Sequence, residues 1–73
     1  MISRVIFTKS VTLNCELDRN HYARKEYEVS CGCVFVVGED IDAIIKNDNG
    51  TVDLIFPGND VAAQVPSAWL RFE

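Results

Sequence analysis

Glycine and proline cut this chain into short apolar runs, and none of them carries the i, i+3, i+4 spacing of an amphipathic helix. What recurs is a period of two. Val11, Leu13, Cys15 and Leu17 alternate with Thr12, Asn14 and Glu16, which sets four apolar side chains on one face of a strand. Ile2 and Val5-Ile6-Phe7 read as an extended lead-in strand over residues 1–10. Val29 to Val37 reads as one longer strand with apolar residues on both faces, bent or bulged at Gly32. Asn49-Gly50 is a preferred pair for a two-residue type I′ turn, so residues 43–56 are expected to form a hairpin. Closing the turn there pairs Lys46 with Asp53, Ile45 with Leu54 and Ile44 with Ile55. Phe56-Pro57-Gly58-Asn59-Asp60 is a turn by composition, Val61–Gln64 a short strand, and Pro66 can open a single helical turn before a last strand at Leu70-Arg71-Phe72. Residues 18–28 hold no apolar periodicity and read as one long polar loop.

Seventy-three residues leave room for one domain, 1–73, and one small core. A self-sufficient enzyme with its own cofactor domain is excluded. No run approaches the ~20 apolar residues of a membrane-spanning helix, and the mixed, polar first residues do not read as an export signal. Three cysteines, an odd count, fit a reducing cytoplasm better than a secreted disulfide scaffold. The net charge of −4 is concentrated in residues 38–73, where seven acids face two bases. That balance disfavours phosphate-driven nucleic-acid binding and favours a protein partner with a basic surface.

The order of elements and the tail Gln64-Val65-Pro66-Ser67-Ala68-Trp69-Leu70 resemble the SH3-like barrel, in which a Val/Ile-Pro-Ser-x-aromatic-hydrophobic segment forms the 3₁₀ turn before the last strand. The resemblance covers 11–73. It implies an all-β fold, a small SH3-like barrel of five to six strands with a 3₁₀ turn near residues 65–69 and residues 1–10 as an extra N-terminal strand. The loop at 18–28 would take the place of the RT loop and 43–56 that of the distal hairpin. The Ala-Leu-Tyr-Asp-Tyr segment of signalling SH3 domains is absent, and no tryptophan opens the hairpin, so proline-rich ligands are not expected. The chain is closer to small microbial and phage SH3-like barrels, which mostly serve as assembly or inhibitory modules.

No nucleophile elbow, paired-acid motif or phosphate-binding glycine loop occurs, and neither enzymatic activity nor a cofactor is expected. Arg19, His21, Tyr22, Arg24 and Tyr27 bring together the residue types that anchor interfaces, and with Trp69 they form the expected binding patch. Cys31 and Cys33 share a strand face with Val29, Phe35 and Val37, which favours buried structural thiols. The alternative is a zinc site built from Cys15, His21, Cys31 and Cys33. The expected function is a non-enzymatic protein-interaction module. The alternative is a nucleic-acid-binding barrel that uses Arg19, Arg24, Lys25 and the tyrosines, and self-association through strand edges is also open.

Overall fold

The computed structural model describes residues 1–17, 24–58 and 60–73. It is all-β, with strands β1 (Arg4–Phe7), β2 (Val11–Leu17), β3 (Arg24–Val29), β4 (Val34–Val36), β5 (Ala43–Lys46), β6 (Thr51–Phe56), β7 (Asp60–Pro66) and β8 (Leu70–Phe72). The expected 3₁₀ turn is present at Ser67–Trp69, led by Pro66 at φ −57°. The strands form two antiparallel sheets, ordered β4-β1-β8 and β3-β2-β7-β6-β5, and neither closes on itself into a barrel. Two segments fold differently from their sequence reading.

The first is the polar stretch 18–28. Its second half is strand β3, paired residue for residue with β2 from Val11↔Val29 to Glu16↔Arg24. Val29 is buried and Tyr27 half-buried, while Glu26 and Glu28 are exposed. This is the alternation of a strand with one wet face, carried by too few apolar residues to register as a pattern. The second is Val29–Val37, which is two strands rather than one. Ser30 to Cys33 form a turn closed by a Cys33 N–H bond to the Ser30 carbonyl (3.0 Å), with Gly32 at φ +87°. A Gly with positive φ at the third position of such a turn is the type II signature.

The hairpin at 43–56 forms, in a register one residue away from the one expected. Ile44 faces Leu54, Ile45 faces Asp53 and Lys46 faces Val52. Asn47 N–H bonds to the Thr51 carbonyl at 2.9 Å, which leaves a three-residue loop of Asp48, Asn49 and Gly50. Gly50 has φ +79° whereas Asn49 does not have positive φ, so the type I′ geometry, which needs both, is not adopted. Asn49 is instead held through its side chain, whose Oδ1 accepts from Thr51 N (3.3 Å) and Thr51 Oγ1 (2.6 Å). Core parity decides the register. Val52, Leu54 and Phe56 are buried, and only the observed pairing puts Ile44 on their face. Ile45 is left outside, 49% exposed.

The core lies between the two sheets. Phe7, Ile41, Leu54, Val5 and Cys15 are the largest fully buried side chains. Four rings run through it in a chain. Phe7 meets Phe35 edge-on (centroids 5.8 Å apart), Phe35 meets Phe56 edge-on (5.6 Å), and Phe56 stacks on Tyr27 (5.5 Å). These geometries suit the ring quadrupole and tie β1 and β4 of one sheet to β6 and β3 of the other. The N-terminal strand β1 is the middle strand of the smaller sheet, so Val5 and Phe7 are part of what holds the sheets together.

Between β6 and β7 the pairing is interrupted. Val52 pairs with Val65 and Leu54 with Ala62, so Asp53 alone stands against Ala63 and Gln64. Gln64 has φ +56°. Asp53 Oδ1 accepts both Gln64 N–H (2.9 Å) and Asn47 Nδ2–H (2.9 Å) and thereby ties the bulge to the hairpin loop. Asp53→Ala is expected to lower unfolding free energy by about 1–2 kcal/mol through loss of these charge-assisted bonds. Asp53→Asn, which keeps an acceptor, should recover most of it, with urea denaturation as the measurement.

Candidate functional site

The bulge at Gln64 bends β7, and a bulge sharpens local twist. Its consequence is visible in the larger sheet. β2 pairs with β7 only over Cys15–Leu17 and Asp60–Ala62. Beyond Ala62, β7 continues beside β6, while Val11–Asn14 of β2 continue beside β3. The two central strands therefore diverge on the Trp69 side, as the arms of a wedge. Thr12, Leu13 and Asn14 form one arm and Ala63 to Pro66 the other, and Trp69 joins them in lining a cleft of about 170 Å³. Backbone groups of a strand alternate in direction, so within 11–14 every second residue turns its N–H and C=O toward this opening.

Trp69 is brought there by the turn that precedes the last strand. Gly50 at the tip of the hairpin loop accepts two bonds from Ser67, from its N–H (3.0 Å) and its Oγ (2.8 Å). Leu70, next in the chain, is buried in the core, which anchors the other side of the turn. Trp69 itself is half-buried against the core, its carbonyl accepts from Thr8 N (2.8 Å) and Thr8 Oγ1 (3.0 Å), and Lys9 Nζ lies 5.5 Å from the ring centroid. A large amphipathic ring that is half-buried and held through its backbone is a ready contact surface.

The cleft has an acidic flank. Glu28 pairs with Thr12 and Glu26 with Asn14, and all four are exposed on the outer side of the sheet. On the far side, Asp53 reaches under Gln64. Lys9 is the cation at the tryptophan end.

The other expected site residues fall elsewhere. Arg19, His21 and Tyr22 lie outside the described residues, and Arg24 is placed only as the first residue of β3. Tyr27 is in the aromatic chain of the core, with its hydroxyl donating to Asp60 Oδ2 at 3.2 Å, and Asp60 is itself buried. The expected burial of the paired thiols is corrected for Cys31. It is exposed in the turn after β3, where its Sγ donates to the Thr8 carbonyl at 3.3 Å, and Cys33 is half-buried. The strand that was to carry both inward ends at Val29, before either is reached. Cys15 is fully buried on β2, and Val11, the partner of Val29, is four residues up the strand from it, a separation of about 13 Å at ~3.3 Å per residue. Among the described residues no three His, Cys, Asp or Glu side chains gather as metal ligands; His21 is not among them. Likewise, no helix among the described residues is long and apolar enough to cross a membrane.

Gln64, Lys9, Thr12 and Asn14 were not legible as site residues. A non-glycine residue in the left-handed region gives no sequence signal, since Gly or Asn is the usual occupant. Comparison of the chain with protein-family models, curated proteins and solved structures finds no significant match.

The positive φ of Gln64 costs an L-residue about 1–2 kcal/mol. Gln64→Gly should therefore keep the fold and raise stability by up to about 1 kcal/mol after the added flexibility of the unfolded chain is subtracted. Thermal denaturation checks this, and a loss of stability would mean that the side chain, rather than the backbone shape, is needed there.

Proposed function

We propose that this protein is a non-enzymatic interaction module that receives an extended, basic segment of a partner protein in the cleft between β2 and β7. The observation that carries this reading is the divergence of the two strands around a half-buried tryptophan. An opening between strands offers unpaired main-chain groups to an incoming strand, which supplies affinity, and an aromatic anchor at its end supplies specificity. The sign of the partner follows from charge. Glu26 and Glu28 flank the opening on an outer face of a chain with net charge −4, so a segment with Lys or Arg is steered and retained, and a phosphate backbone is repelled. The 3₁₀ turn after Pro66 and the short final strand support the likeness to SH3-like modules, with the difference that the two sheets stay open. Ligand recognition here rests on the strand split and not on the aromatic ridge that reads proline-rich segments.

Selection from a displayed library of random extended peptides, followed by NMR titration of the winners, tests the reading. Binders should be rich in Lys and Arg, weaken with salt, shift the amide signals of 12–14 and 63–65, and quench Trp69 fluorescence. Trp69→Ala should reduce their affinity about thirty-fold or more, the usual size for a central aromatic anchor. Shifts confined to other surfaces, or binding unaffected by Trp69→Ala, would overturn it.

A further inference from the structure

The tip of the β5–β6 hairpin brings together groups that can react with one another. The asparagines of the chain are Asn14, Asn20, Asn47, Asn49 and Asn59, and Asn49 alone precedes a glycine. The main-chain nitrogen of the following residue is the nucleophile that can close on an asparagine carboxamide, and glycine, with no Cβ, shields it least. Around Gly50 the place of a Cβ has nothing within 4 Å of it, and Asn49 and Gly50 are both exposed, so water reaches the reacting groups. The carboxamide is held by its oxygen. Asn49 Oδ1 accepts from Thr51 N–H (3.3 Å) and from Thr51 Oγ1 (2.6 Å). Asn47 Nδ2 in turn donates to Thr51 Oγ1 at 3.0 Å and to Asp53 Oδ1 at 2.9 Å. A hydroxyl that accepts one bond donates the next more strongly, so this chain sharpens the pull on Asn49 Oδ1. Asn49 Nδ2 has no such partner among the described residues.

We propose that Asn49 is a site of spontaneous modification, in which Gly50 N closes on Asn49 Cγ while Thr51 stabilises the carboxamide oxygen. The atoms balance with water as the only reagent. Gly50 N gives its proton to solvent and bonds to Cγ, and negative charge develops on Oδ1, where the Thr51 donors are already in place. The Cγ–Nδ2 bond then breaks, Nδ2 takes a proton from water and leaves as ammonia, and a cyclic imide remains. Water opens that ring at either carbonyl, giving aspartate or isoaspartate at position 49. Bonds to Oδ1 strengthen as its charge grows, so they favour the transition state over the ground state. A bond to Nδ2 would have the opposite effect, because it would retain the leaving group. The two products differ in their reach. Aspartate leaves the main chain as it was. Isoaspartate routes the main chain through the former side chain, one methylene longer, and displaces Gly50. The Gly50 carbonyl is the acceptor of both Ser67 bonds, so the displacement passes to the turn that carries Trp69.

Ageing the folded protein at mildly alkaline pH tests this, with peptide mass spectrometry and enzymatic methylation of isoaspartate as the readouts. Asn49 should convert first, while Asn14 and Asn47 stay intact. Thr51→Val keeps the β-branched shape and should slow the conversion about five-fold, the size of one net hydrogen bond. Thr51→Ser, which keeps the hydroxyl, should react as wild type does, and circular dichroism verifies that both variants fold. The purified isoaspartate form should show altered Trp69 fluorescence, whereas Asn49→Asp should match the wild-type chain. An Asn49 that outlasts Asn14 or Asn47 would overturn the proposal. So would a Thr51→Val chain that converts as fast as wild type or faster, since Thr51 would then restrain the carboxamide instead of activating it. An isoaspartate form with unchanged Trp69 fluorescence would overturn the coupling to the turn. None of these outcomes depends on what the Trp69 cleft binds.

Discussion

One carboxylate oxygen organises the part of this molecule that faces outward. Asp53 Oδ1 takes the N–H that the bulge at Gln64 removes from the ladder between β6 and β7, and it takes the Asn47 amide from the neighbouring loop as well. A bulge deprives the ladder of a bond, and the carboxylate restores a charge-assisted one to the displaced N–H. With that donor satisfied, β7 can turn away from β2 after Ala62. The wedge, the position of Trp69 and the separation of the two arms all follow from this turn.

The hairpin loop contributes from the other side. Its register is fixed by the burial of Val52 and Leu54, and its three-residue length places the Gly50 carbonyl where Ser67 can bond it twice. Trp69 is thus tied to the hairpin tip through Ser67, to β1's end through Thr8, and to the core through Leu70. A ring held by three backbone attachments loses little further freedom on binding, a property expected of an interface anchor.

The two edges of the larger sheet show how such a small domain treats exposed backbone. Charge covers β3, while β5 keeps an apolar sequence flanked by one acid and one base. A chain of this size buries a small core, and apolar residues on both faces of β5 and β6 add to it only if something covers the outer one.

Much of the fold was legible in the sequence. The period-two run at 11–17, the lack of any helical spacing, the hairpin at 43–56 and the turn after Pro66 depend on local steric and solvation preferences that a short window contains. Tertiary structure decided the rest. Asn49-Gly50 suits either a two-residue or a three-residue loop, and only the packing of Leu54 against the opposite sheet selects one, because a shift of one residue would exchange Ile44 for Ile45 in the core. Strand β3 has too few apolar residues to declare itself, and it exists because β2 presents a ladder to pair with. The exposure of Cys31 depends on a chain reversal between two sheets, and the left-handed Gln64 on a carboxylate eleven residues away in sequence. These are long-range matters of which face meets the core, and a sequence read in short windows carries no term for them.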